Sequence, residues 1–138
     1  MKLFSFLSLA LLSVSGALAQ SIEIGAPLPK SKLESGCNFT VEVDRPDTLT
    51  GSTEVAIAIA LKSNTAPYGI GDLLYIGSYN PQFHTGAAWY KPPHQNFSVK
   101  VPKDLAHGPA LLSVQHWSIV GASQWSLLES KNITVVVT

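Results

Sequence analysis

Apolar and polar residues alternate with a period of two along most of the chain beyond residue 20. Asn38-Phe39-Thr40-Val41-Glu42-Val43-Asp44 is the cleanest run and predicts a half-buried strand. The pattern returns in Asn96-Phe97-Ser98-Val99-Lys100-Val101 and in Asn132-Ile133-Thr134-Val135-Val136-Val137. Ser21 to Gly25, Asp72 to Tyr79 and Ala110 to Ile119 add further strands. Val55 to Leu61 is apolar on both faces, with Val55, Ile57, Ile59 and Leu61 on one side and Ala56, Ala58 and Ala60 on the other. Its β-branched residues favour a central strand. Proline and glycine punctuate these runs at Pro27, Pro29, Gly36, Pro46, Gly51, Pro102 and Gly108-Pro109. No 3.6-residue period persists beyond one turn, the best candidate being Asp104 to His107. About seven short strands with frequent turns predict an all-β, immunoglobulin-like antiparallel β-sandwich.

The first 19 residues follow a different pattern. Lys2 precedes a short apolar run from Leu3 to Val14, and Ala17-Leu18-Ala19 has the small-x-small form of a cleavage site. Residues 1–19 therefore read as a signal peptide and residues 20–138 as one secreted domain starting at Gln20. The apolar run is shorter than the roughly 20 residues that span a bilayer, and the tail from Ile133 to Thr138 is too short for a lipid-anchor signal. A released extracellular protein without a membrane anchor is expected.

Secretion gives the single cysteine its meaning. Cys37 cannot form an internal disulfide, so the sandwich must rest on its core. Its parity with Phe39, Val41 and Val43 predicts an inward-facing thiol. Charged residues make up 13% of the 138, against about 25% in typical domains, and nine basic residues cancel nine acidic ones. Removing Lys2 leaves a net charge of −1. No basic field is present for nucleic acid or anionic lipid, and a monomer is expected.

Catalytic signals are thin. His84, His94, His107 and His116 lack zinc-site spacing. No Gly-x-Ser-x-Gly elbow is present, and Gln20 cannot supply the N-terminal histidine brace of copper polysaccharide monooxygenases. Asp44 and Asp47 flank Arg45-Pro46 and read as a turn with a local ion pair. The residues thus predict neither enzyme, metal site nor cofactor. Three sequons stand out, at Asn38, Asn96 and Asn132, each turned by strand alternation toward solvent. The longest stretch without strand character, Asn80 to Gln95, carries Trp89 and Tyr90, which are candidate partner contacts together with Trp125 in another loop-like stretch. Trp117 has an ambiguous face, with core packing preferred and partner contact as the alternative.

In combination, several segments resemble fungal necrosis-inducing secreted protein effectors. They are Asn38 to Asp47 with Leu49-Thr50-Gly51-Ser52, Lys91-Pro92-Pro93-His94-Gln95-Asn96-Phe97, Val101-Pro102, Leu105 with Gly108-Pro109-Ala110, and Leu128 to Val135. The resemblance covers about residues 21 to 138. It implies a binder that suppresses plant pattern-triggered immunity by engaging receptor-like and receptor-associated cytoplasmic kinases, some members also provoking cell death. It further implies host cells as a second location after secretion. It assigns no catalytic or binding residues. The alternative is a secreted cell-wall or polysaccharide-binding module.

Amino-terminal mass analysis of secreted protein should show a chain starting at Gln20. Endoglycosidase treatment of material from a fungal host should increase its electrophoretic mobility. An intact Lys2 segment would contradict the first expectation and unchanged mobility the second.

Overall fold

The computed structural model describes residues 21–46, 51–83 and 90–138. Eight strands are present among them: β1 (Glu23–Ala26), β2 (Lys32–Leu33), β3 (Asn38–Asp44), β4 (Ser52–Ser63), β5 (Asp72–Gly77), β6 (His94–Lys100), β7 (Gly108–Val120) and β8 (Trp125–Val137). They form a three-stranded sheet in the order β1-β3-β6 and a five-stranded sheet in the order β2-β8-β7-β4-β5. All pairings are antiparallel except that of β2 with β8. The expected all-β sandwich is therefore the fold, with the two-residue β2 as an additional strand. Asp104–His107 forms turn and bend rather than helix, with the Leu105 amide bonded to the Pro102 carbonyl.

The core is where the period-two pattern places it. Val41 and Val43 of β3 and Phe97 and Val99 of β6 face Ile57, Ile59 and Leu61 of β4, Leu112 and Val114 of β7, and Val135 and Val137 of β8. Each fully buried Val, Leu or Ile contributes about 1.5–3 kcal/mol over its exposed state. This core needs no disulfide.

Several positions depart from simple alternation. β4 carries a bulge between Glu54 and Ala56, so Val55 is exposed instead of joining Ile57 in the core. The extra residue reverses parity, and Glu54, on the Ala56 side by counting, opposes the buried Ser118 and points inward. Cys37 is exposed in the turn before β3, not inward, because regular pairing begins only at Asn38. Trp117 lies on the outer face of the five-stranded sheet: inward positions on β7 belong to Leu112, Val114 and His116. Trp125 opens β8 rather than sitting in a loop. The charged residues Glu129 and Lys131 obscure that strand's first half in the sequence.

Gly71, just before β5, has φ +88°, and a Cβ there would overlap the Leu61 carbonyl and lie 2.6 Å from Lys62 Cα. Gly51 has open space around its would-be Cβ. Gly71→Ala should cost more than about 1 kcal/mol in urea unfolding, while Gly51→Ala should change stability by less than about 0.5 kcal/mol. Equal effects would contradict the packing of β5 on β4.

Candidate functional site

Three features bring chemistry-bearing residues together. The first is a buried charged bridge between the sheets. His116 and Glu129 are direct partners across β7 and β8, both on the core side. His116 is 1% exposed; its Nδ1 lies 2.8 Å from Glu129 Oε1 and its Nε2 contacts Glu54 Oε2. Arg45, which follows β3 in the other sheet, places Nε 2.6 Å from Glu54 Oε1 and donates from Nη2 to Ser52 Oγ. The Ile22 amide donates to Glu129 Oε1 at 2.9 Å. Residues beside β1 and β3 are thus tied to β4, β7 and β8. Among the described residues Arg45 pairs with Glu54 rather than with Asp44; Asp47 lies outside the described residues.

Both imidazole nitrogens face carboxylate acceptors, so both must carry hydrogen and the ring is an imidazolium. Burial opposes this charge. The hydrogen bonds and charges of Glu129 and Glu54 outweigh burial and lift the His116 pKa to about 9. Burial also opposes ionisation of Glu129, but the His116 bond and the Ile22 amide hold its carboxyl below the usual range. Two positive and two negative charges balance the bridge. The Tyr79 ring meets His116 edge-on at 5.3 Å, and its hydroxyl donates to the Val43 carbonyl at 3.0 Å. Burial pushes the Tyr79 hydroxyl pKa up, so it stays protonated.

The second feature is a carboxyl pair on the outer face of the three-stranded sheet. Lys91 Nζ reaches both Glu42 oxygens, at 2.9 and 2.8 Å. Asp44 stands beside Glu42 with Oδ1 buried and without a hydrogen-bond partner. Gly25, at the β1 bulge, admits both groups: a Cβ there would overlap Glu42 Oε1 and lie 2.7 Å from Asp44 Oδ2. Burial, then the Glu42 charge, raises the Asp44 pKa to about 6. For Glu42, burial is outweighed by Lys91, and its pKa is lowered.

The third feature is an apolar trough on the outer face of the five-stranded sheet. Ala56 and Ala58 of β4 form the floor; Trp117, Leu128 and Ile76 form the walls of a hollow of about 140 Å³. Trp117 is 41% exposed and its Nε1 donates to Ser126 Oγ at 2.9 Å, which fixes the ring. Leu128 and Ile76 are 76% and 68% exposed.

The expected site residues do not form one surface. Trp89 lies outside the described residues. Tyr90 is exposed and precedes Lys91, on the side of the three-stranded sheet, whereas Trp117 faces outward from the other sheet. Trp125 is exposed at the start of β8. Asn38, Asn96 and Asn132 are all exposed; the first two stand on the three-stranded sheet and the third on the five-stranded sheet. Among the described residues, no cluster of three or more His, Cys, Asp or Glu is arranged to hold a metal ion. The bridge was missed in the sequence. His116 and Glu129 share inward parity with Val114 and Ile133, which was a readable signal, whereas Glu54 was hidden by the bulge.

The shifts set the pH dependence of folding. His116 has a folded pKa above its unfolded value of about 6.5, so its contribution is complete below that pH and is lost as pH rises through 9. The loss amounts to about 3 kcal/mol. The raised Asp44 pKa likewise favours folding in acid and is felt as a loss between 3.8 and about 6. Glu42 and Glu129, held low, lose their contribution as pH falls below their ordinary 4.5. Urea unfolding across pH should therefore show a maximum near pH 5 and a falling alkaline limb. His116→Gln should flatten the limb from 6.5 to 9 and Asp44→Asn the step ending near 6. A wild-type profile that is level from about pH 5 to 9 would contradict both assignments.

No curated protein matches the chain in sequence. Among solved structures, the superoxide reductase (neelaredoxin) from Ignicoccus hospitalis is similar, with a TM-score of 0.53 and 16% identity over 90% of this chain and 89% of that one. Its E23A variant gives a TM-score of 0.53 and 16% identity, over 88% and 85% of the two chains. The cellulose-active LPMO CelS2, in complex with copper, gives a TM-score of 0.51 and 19% identity over 78% of this chain and 53% of its own. At such identities the likeness shows the immunoglobulin-like sandwich fold and carries no chemistry. The match that does assign kinship runs over residues 7–136, and by it the chain belongs to the Nis1 family.

Proposed function

We propose that this chain is a secreted effector that binds plant receptor-like and receptor-associated cytoplasmic kinases and suppresses pattern-triggered immunity, acting as a binder rather than an enzyme. Family membership supports the effector reading, and the resemblance to necrosis-inducing effectors supplies the kinase partners and the cell death that some members provoke. One observation carries the binding mode: the exposed trough walled by Trp117, Leu128 and Ile76. Large aromatic and aliphatic side chains that stay exposed on a rigid sheet suit a protein interface, where a pinned Trp acts as anchor. With nine basic and nine acidic residues, such binding rests on apolar contact rather than long-range steering. If the sequons are used, glycans at Asn38 and Asn96 cover the other sheet. Asn132 pairs with Ser113, four residues along β7 from Trp117, or about 13 Å away.

A second reading, a polysaccharide-binding module, is favoured by the exposed indoles of Trp117 and Trp125, since flat aromatic faces suit sugar rings.

Surface plasmon resonance against a purified kinase domain of a plant receptor-associated kinase tests the proposal, alongside sedimentation with chitin and glucan. Trp117→Ala with Leu128→Ala should weaken kinase binding by at least about tenfold, equivalent to about 1.4 kcal/mol, without a large change in melting temperature. Sedimentation with polysaccharide and no kinase binding would favour the second reading. Unaltered kinase affinity in the double variant would move the interface to Tyr90 and Trp125.

A further inference from the structure

The edge of the five-stranded sheet is covered unequally. β8 runs for thirteen residues, but β2 pairs only with Val136 and Val137. Before that point β8 faces β1 of the other sheet, and the two leave a groove of about 270 Å³ lined by Glu23, Ile24, Pro29, Lys131, Asn132 and Ile133. Its size is close to the lower end of small-molecule pockets, about 300 Å³. Ile24, Pro29 and Ile133 give it apolar walls, while Glu23 and Lys131 bring an acceptor and a donor to it. That mixture suits a sugar residue, whose ring faces are apolar and whose rim bears hydroxyl and amide groups. Asn132 stands at the groove's rim, its Oδ1 accepting from Ser130 Oγ at 3.4 Å on the outer face of the sheet, and heads the sequon Asn132-Ile133-Thr134.

We propose that this groove seats the first N-acetylglucosamine of an N-linked glycan on Asn132, making that glycan part of the folded structure. Asn38 and Asn96 differ. They stand exposed on the outer face of the three-stranded sheet, opposite Lys100 and Glu42 across the β3–β6 ladder, and a glycan there extends into solvent. The three sequons, alike in sequence, thus divide into one structural and two solubilising sites. The inference does not depend on the proposed kinase partner.

The test uses protein secreted from a eukaryotic host and trimmed to one sugar per sequon, with peptide mass spectrometry to establish occupancy. Asn132→Gln and Thr134→Ala should each lower the melting temperature by about 3 °C, whereas Asn38→Gln and Asn96→Gln should stay within about 1 °C of wild type. In bacterially made, sugar-free protein, Asn132→Gln and Thr134→Ala should melt with the wild type. An unmodified Asn132 would overturn the proposal. So would equal melting of the glycosylated wild type and both Asn132-sequon variants, an equal drop at all three sequons, or the same drop without sugar.

Discussion

A protonated imidazole enclosed between two carboxylates of its own sheet holds the acceptors that Arg45 and the Ile22 amide meet from the other sheet. His116 projects into the core at a position where a Leu or Val would suffice for packing, and it is tolerable there because Glu54 and Glu129 engage both ring nitrogens. Arg45 and the Ile22 amide complete the set from the other sheet. A buried bridge of this kind is a poor source of net stability, since desolvation offsets most of the attraction. Removing one member is a different matter, because it strands a charge in the core at a cost of about 3–5 kcal/mol. We read the bridge as a register device. It is satisfied only when β4 carries its bulge, β7 and β8 align His116 with Glu129, and Arg45 leaves β3 in the right direction.

The outer faces of the two sheets differ in chemistry. The three-stranded sheet presents Lys91, Glu42 and Asp44 around Gly25, a polar face whose charge changes in mild acid. The five-stranded sheet presents a neutral trough with Trp117 held by Ser126. Under the proposed binding role, the neutral face is the contact surface and the titrating face the site of pH response. Superoxide reductase and LPMO relatives of the fold show only that this sandwich can carry unrelated chemistries.

Most of the architecture was legible from the period of two. β3 matches its expected range of Asn38 to Asp44, and Ile57, Ile59 and Leu61 enter the core as alternation requires. Failures occur where a local irregularity or a charged inward residue breaks the count. The bulge at Val55 hid the direction of Glu54. Glu129 and Lys131 disguised the first half of β8, so Trp125 read as loop. His116 at an inward position made the opposite assignment for Trp117 more attractive. These three involve the charged bridge or its neighbours, where long-range pairing overrides local pattern; Cys37 instead fails because it precedes the first regular pair of β3.

The most direct measurement is the nitrogen and carbon chemical-shift titration of the His116 imidazole by NMR. The account predicts that both ring nitrogens carry hydrogen at pH 7.5 and that the ring loses its proton only near pH 9. A neutral ring at pH 7.5, titrating at or below the ordinary histidine value of about 6.5, would show that no enclosed imidazolium holds the carboxylates that Arg45 and the Ile22 amide meet from the other sheet.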